Sequence, residues 1–318
     1  MAIISTDIQQ AKDFLSQSNV VGIPTETVYG LAGNAFDIEA VTKIFEVKNR
    51  PNFDPLIVHT NSIERLSEFV ESIPEKAMLL AQKFMPGPLT LLLPKRSSIP
   101  DLVTSGLDTV AVRIPNHPLT LALLAQLNFP LAAPSANPFG YISPTSAQHV
   151  AQQLGDKIPY ILDGGECGIG IESTIVGFEN DEVIVYRKGG LAIEEIEKVV
   201  GKVLVISHSS SNPKAPGMLK SHYAPRKEMF ILDDNNLENE VQKDKIGYLG
   251  FQKYNNFLPK ENQLILSESG NYSEAAKNLF ASMRALDGMD IEKIYVELLP
   301  EQNLGIAIND RLRRAAAK

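Results

Sequence analysis

The stretch that decides the reading of this chain is Gly22 to His59, GIPTETVYGLAGNAFDIEAVTKIFEVKNRPNFDPLIVH. A short apolar run of Val20, Val21 and Ile23 stops at Pro24, which predicts a buried strand that delivers Thr25-Glu26-Thr27 to a strand end. Such ends are where open α/β sheets place their ligands. Asp37 then caps an apolar pattern of Ile38, Val41, Ile44 and Phe45, spaced for one helical face, and that helix runs out into Lys48, Arg50 and Pro51. A second strand, Leu56 to Val58, ends at His59. Thr and His at two strand ends, with Lys and Arg two apart on the constrained loop between them, would make a pocket for a small polar anion. Each residue taken singly also has a structural explanation, since Thr after Pro is common turn chemistry and a Lys near a helix C-terminus complements the dipole.

Working outward, 318 residues with 44% hydrophobic and 21% charged composition describe a globular chain long enough for two cores. The single Cys167 excludes an intrachain disulfide framework and fits a reducing compartment; in its glycine loop it reads as small-residue filler. No cationic, apolar leader precedes Asp7, and no apolar run approaches the roughly 20 residues of a membrane helix. A cytoplasmic protein with no membrane partner is expected. Formal net charge is -8. Lys and Arg number 15 against 23 Asp and Glu for residues 1 to 208, and 15 against 15 for 209 to 318, so the whole acidic excess lies in the first part. Tight nucleic-acid binders usually show a basic surplus, which makes any nucleic-acid contact weak or indirect. Against this acidic background Lys48, Arg50, Arg113, Arg187 and Lys188 would form a local positive well for a compact anion such as a nucleotide.

Strand and helix patterns alternate along the rest of the chain. Helices are predicted over 7–17, 62–70, 74–84, 117–127, 146–154 and 191–200, and strands over 89–93, 109–114, 130–133, 160–162 and 183–186. Arg113, flanked by apolar residues, reads either as an edge-strand surface residue or as a buried guanidinium with an anionic partner. Pro134-Ser135-Ala136-Asn137 is either a Ser or Asx turn or a loop that brings backbone N–H groups and a hydroxyl onto a phosphate. The glycines from Gly164 to Gly170 lack the order of a dinucleotide fingerprint, and no Gly-Lys-Ser/Thr is present. Residues 207–228, rich in Ser and Pro, read as a linker, and from Met229 a second α/β layer follows: strand, helix, strand over 246–251, strand over 263–266, helix over 272–286, strand over 293–298 and a final helix from Gly305. Arg311, Arg313 and Arg314 on that helix read as a solvated face. No metal-ligand spacing is present, so no metal site from protein side chains is expected.

Taken together, Pro24 to Leu31, Lys48 to Pro51 and Pro55 to His59 resemble the signature of the L-threonylcarbamoyladenylate synthase family, and Ala133 to Asn137, Ser143 to Thr145 and Ile171 to Val176 continue the likeness over nearly all of residues 3 to 203. Pro216-Gly217-Met218 and His222-Tyr223-Ala224-Pro225 resemble the segment that marks the family's long, two-domain form. The resemblance implies a YrdC-like twisted open α/β catalytic domain over 1–206, a linker over 207–228, and a smaller Rossmann-like α/β domain over 229–318; a site that must keep water from labile intermediates further leads us to expect an active-site lid at Pro213 to Pro225, bending at Gly217, the alternative being that His222 and Tyr223 only dock the linker on the surface. The resemblance also implies that Thr25, His59, Arg113, Ala133 and Ser173 hold L-threonine. Lys48, Arg50, Asp54, Thr109, Ser135, Ser143, Arg187, His222 and Tyr223 would hold the nucleotide. Two departures stand out: Asp54 replaces a common Asn, and Phe139 precedes Gly140 where Ser is usual.

The implied reaction joins threonine, bicarbonate or CO2, and ATP into threonylcarbamoyl-AMP and pyrophosphate, with Mg²⁺ carried on ATP. A separate threonylcarbamoyl-transferase machinery then passes the group to an adenosine of tRNA. Such chemistry pushes two anions together, so it calls for positioning and charge neutralisation more than a strong base. Two rival readings are an RNA-binding regulator built on the same fold, against which the acidic first domain speaks, and a related carbamoyl-transfer enzyme. Chains of the latter kind carry extra acylphosphatase-like and zinc-finger segments not found here.

Overall fold

The computed structural model describes residues 1–206, 215–216, 218, 222–233, 237, 240 and 242–317. In chain order the first part contains β1 (Ile3–Ser5), α1 (Ile8–Ser16), β2 (Val21–Ile23), β3 (Gly30–Asn34), α2 (Ile38–Lys48), β4 (Ile57–His59), α3 (Glu75–Phe84), β5 (Leu89–Pro94), α4 (Asp101–Thr104) and β6 (Thr109–Arg113). It continues with α5 (Pro118–Gln126), β7 (Leu131–Ala132), α6 (Ala147–Leu154), β8 (Tyr160–Leu162), β9 (Thr174–Glu179), β10 (Glu182–Arg187), α7 (Ile193–Val200) and β11 (Leu204–Val205). These strands form one mixed sheet in the order β1-β8-β2-β3-β7-β4-β6-β5-β9-β10-β11. The second part contains β12 (Glu228–Ile231), β13 (Ile246–Gly250), β14 (Gln263–Ile265), α8 (Tyr272–Gly288), β15 (Lys293–Val296) and α9 (Leu304–Ala315), with a parallel sheet ordered β12-β15-β13-β14.

The cap expected at Asp37 forms, and other helix ends are set by similar local contacts. Asp37 caps α2 by accepting from the Glu39 N–H, and Ser146 and Asn271 cap α6 and α8 in the same way. Asn49, left-handed with φ 52°, ends α2 and turns the chain toward Arg50. The buried face of α2 runs through Val41, Ile44, Phe45 and Lys48, while Ile38, expected on that face, is exposed. The pattern at 62–70 forms only a 3₁₀ turn over Glu64–Glu68, and β3, short and glycine-containing, was not expected as a strand. The helix expected between β12 and β13 falls partly outside the described residues.

Sheet register sets up the site. Parallel β4 and β6 place His59 beside Arg113 at their C-terminal ends, and antiparallel β7, which meets β4 at His59↔Leu131, carries the chain back along β4 so that Ala133 donates its N–H to the Ile57 carbonyl before Pro134 and Ser135 leave the sheet. The two sheets share a core at their interface, where Val28, Ile142 and Ile171 pack with Tyr223 and the apolar faces of α8 and α9. The expectation of a solvated arginine face on α9 is overturned: Arg311 and Arg314 are buried and only Arg313 points outward, because Arg311 shares the helix face of Ile308, Leu312 and Ala315.

Candidate functional site

A cavity of about 580 Å³, counting the open solvent at its mouth, lies against β4 and β7 and is lined by Ile57 and His59 as well as Ala133 to Ser135. Its wall includes nine of the residues expected there: Thr25, Arg50, His59, Arg113, Ala133, Ser135, Arg187, His222 and Tyr223. Glu172 and Pro216 line it as well.

One side is small and polar. Thr25 Oγ1 donates to the Val28 carbonyl at 2.6 Å and accepts from the Thr27 and Val28 N–H groups, so it shapes its own turn and faces the cavity at once. His59 Nδ1 lies 3.2 Å from the Ile57 carbonyl, and burial, then the Arg113 charge, pushes its pKa down to about 3. A neutral imidazole therefore faces the cavity at physiological pH. Arg113 is the buried guanidinium of the two sequence alternatives. Its Nη2 is 2.8 Å from Glu26 Oε1, and the other Glu26 oxygen accepts the Asn116 N–H.

Two further arginines line the cavity. Arg50 donates to the carbonyls of Asp54 and Pro55 and pairs with the Asp54 carboxylate at 2.9 Å. Arg187 donates to the Ser173 carbonyl and hydroxyl, both at 3.0 Å, and burial lowers its pKa to about 10, which leaves it charged. Gly189 allows this contact, since a Cβ there would overlap the backbone of Glu172 and Ser173.

Three described residues of the stretch expected as linker, Pro216, His222 and Tyr223, line the cavity as well. Ala215 and Met218 pack on Ile57, Leu92 and Ala111, and Pro216 accepts from Arg187 at 3.4 Å. His222 meets the Phe139 ring edge-on at 5.8 Å and the Tyr223 ring at 4.2 Å. Burial, with the charges of Arg314, Arg50, Lys48 and Arg187, holds His222 far below the usual histidine range, and its buried Nδ1 has no hydrogen-bond partner among the described residues. Pro213 and Gly217, assigned to the same lid, lie outside the described residues.

Five expected residues do not line the cavity. Lys48 is only 1% exposed and donates to the carbonyls of Ser135 (2.6 Å) and Asn137 (2.5 Å), so it orders the Ser135 loop from behind. Asp54 is fully buried against Arg50 and faces away from the cavity. Ser143 donates to Glu172 at 2.6 Å, and the Ser173 hydroxyl sits between Thr90 and Arg187. Thr109 opens β6, four residues and about 13 Å of strand from Arg113. Sequence reasoning missed Glu172 and Arg311. Glu172 belongs to a quoted motif but was given no role, and Arg311 was legible only as a helical phase position.

Fold and cavity together define a class: a two-sheet α/β protein with a roofed, arginine-lined cavity suited to joining two small anions. The chain belongs to the threonylcarbamoyl-AMP synthase family. The family model described as "Telomere recombination" matches residues 13–189, and that described as "Threonylcarbamoyl-AMP synthase, C-terminal domain" matches 191–317. The chain is 42% identical to the threonylcarbamoyl-AMP synthase of Pyrococcus abyssi, over 97% of this chain and 94% of that one. It is 39% identical to that of Bacillus subtilis, over 97% and 92%. The crystal structure of P. abyssi Sua5 complexed with L-threonine superposes with a TM-score of 0.90 at 40% identity, covering 99% of this chain and 98% of that one.

Proposed function

We infer that this chain is a nucleotidyltransferase that makes threonylcarbamoyl-AMP and pyrophosphate from L-threonine, bicarbonate or CO2, and ATP, the first step of tRNA threonylcarbamoyladenosine formation. The observation that carries the reading is the juxtaposition of a neutral His59 and Thr25 beside Arg113 with Arg50, Arg187 and His222 across one roofed cavity.

Arg113 receives the threonine carboxylate, exchanging or sharing its Glu26 partner, while Thr25 and His59 face the hydroxyl and amine. The amine nitrogen bonds to the carbon of CO2 and gives up a proton, forming a carbamate. A carbamate oxygen then attacks the α-phosphorus as the bond to pyrophosphate breaks. Arg50 and Arg187 neutralise the phosphate oxygens, the large electrostatic contribution expected where two anions react. Mg²⁺ arrives as part of the substrate, Mg·ATP. The acids nearest the cavity, Glu26, Asp54 and Glu172, each face an arginine, and no cluster of three potential metal ligands occurs among the described residues.

The segment carrying Pro216, His222 and Tyr223 acts as a lid that keeps water from the carbamate and the mixed anhydride, with Tyr223 covering base or sugar and His222 reaching the triphosphate. Buried Cys167 is a free thiol, and no helix of the described residues is long and apolar enough to cross a membrane; we place the enzyme in the cytoplasm. There it hands its product to a threonylcarbamoyl-transferase machinery and touches tRNA weakly or indirectly. The test is pyrophosphate release from ATP by the purified chain. Release should depend on both threonine and bicarbonate, and release indifferent to threonine would overturn the reading.

A further inference from the structure

Arg311 stands in the last helix of the chain, yet it reaches the wall of the cavity. Its side chain is 0% exposed, and its Nε and Nη2 donate to Glu172 Oε2 at 3.2 and 3.1 Å. Its Nη1 donates to the Lys188 carbonyl, next to Arg187. The other Glu172 oxygen accepts the Ser143 hydroxyl at 2.6 Å. From α8, Arg284 donates to the carbonyls of Ile142 and, at 3.3 Å, Ser143. Two helices of the second sheet thus grip both ends of a hydrogen-bonded pair in the first, and the carboxylate of that pair lines the cavity.

A buried ion pair is poor value for stability, because desolvating two charges offsets most of their attraction. Its electrostatic consequence is larger. An unmasked carboxylate on the wall would repel a polyanionic nucleotide, and repulsion is strong where water is excluded. Arg311 cancels that field without entering the cavity, since Arg311 itself is not among the lining residues. The same helix holds the lid tyrosine: the guanidinium carbons of Arg311 and Arg314 lie 5.5 and 4.9 Å from the centre of the Tyr223 ring.

We propose that Arg311 is a positioning residue for the nucleotide: it masks the Glu172 charge and holds Ser143 and Tyr223 in register, so that the last helix sets the nucleotide affinity of the first sheet's cavity. This deepens the activity inferred above and rests on the nucleotide occupying that cavity.

The test uses the full chain with Arg311→Met, Arg311→Lys, Glu172→Gln and the Arg311→Met/Glu172→Gln double variant. Binding of β,γ-imido-ATP is read by calorimetry, alongside KM for ATP and for threonine. Arg311→Met weakens analogue binding about tenfold or more and raises the ATP KM in parallel, while the threonine KM stays within about threefold. Arg311→Lys, which keeps the charge but not the guanidinium fork, loses clearly less than Arg311→Met, and Glu172→Gln binds at least as tightly as wild type. The double variant returns to within about threefold of Glu172→Gln, because a neutral amide needs no mask. A merely structural Arg311 gives equal losses for both substrates and no recovery in the double variant, and that result overturns the proposal. So does an Arg311→Met variant that binds like wild type. Should Arg311→Met not fold, Glu172→Gln binding more weakly than wild type overturns it instead. A wild-type chain that binds the analogue yet releases no pyrophosphate counts against the activity alone; one that does not bind it overturns both.

Discussion

Replacing His59 with Gln should remove a large part of the acid sensitivity of this fold. His59 is enclosed at the end of β4, and burial first, then the neighbouring Arg113, lowers its pKa from 6.5 to about 3. In the unfolded chain the imidazole returns to about 6.5, so between those values the unfolded state binds the proton that the native state refuses. Stability therefore falls as pH drops from about 6.5 toward 3. For His59 alone, linkage gives a loss of about 2 kcal/mol between pH 7.5 and 5, rising toward a ceiling of about 5 kcal/mol near pH 3. His149, lowered to about 4 by burial and Arg284, and His117 and His222, lowered chiefly by burial, add to the slope in the same sense. The Glu172 carboxyl, which burial pushes up but Arg311, Arg187 and Ser143 hold below its ordinary value, loses stability only below the unfolded carboxylate range. The window from pH 7.5 to 5 thus isolates histidine. With no Trp in the chain, urea unfolding is followed by tyrosine fluorescence or circular dichroism at the two pH values. Wild type should lose about 2 kcal/mol more than His59→Gln. Equal losses would refute the claim that His59 is held neutral.

Arg50→Ala should weaken binding of an ATP analogue by about tenfold or more, as a charge-assisted contact is worth about 1.5–3 kcal/mol, and should also lower stability because the buried Asp54 carboxylate loses its Arg50 partner; calorimetry with unchanged affinity would move the phosphates elsewhere. Lys48→Ala should weaken it too, but together with a lower melting temperature, because Lys48 acts by holding the Ser135 and Asn137 carbonyls. In competition assays serine should be the nearest rival of threonine, since one methyl is worth about 1–3 kcal/mol, and valine should compete more weakly because it leaves polar groups unpaired. Valine matching serine would contradict the Thr25–His59 pocket. Tyr223→Ala and His222→Ala should each cut turnover about tenfold or more by loosening the lid, and wild-type turnover in both would end that idea.

Most of the wall was readable because its residues sit at strand ends punctuated by proline or glycine: Thr25 after Pro24, His59 closing β4, Arg113 before Pro115 and Arg187 before Gly189. Local sequence dictates where a strand stops, and whatever side chain stands there is presented at the sheet's rim. Lys48 shows where that logic slips. Its place beside the phosphate-binding candidates suggested contact with ligand, yet its phase on α2, four after Ile44, directs it into the core behind the Ser135 loop.

By itself, then, the chain's sequence determined the Asp37 cap, most of the alternation of strands and helices and the family to which the motif loops belong, because these depend on interactions within a few residues. Partners were decided only by the tertiary structure. Glu26 could not be assigned to Arg113, or Glu172 to Arg311 at a separation of 139 residues, from any local pattern. Helical periodicity shows that Arg311 shares a face with Ile308 and Leu312, but not that the surface covering this face carries a carboxylate. That depends on how α9 docks against the first sheet, and docking is settled by the whole apolar interface around Tyr223, Ile142 and Ile171 rather than by the charges it brings together.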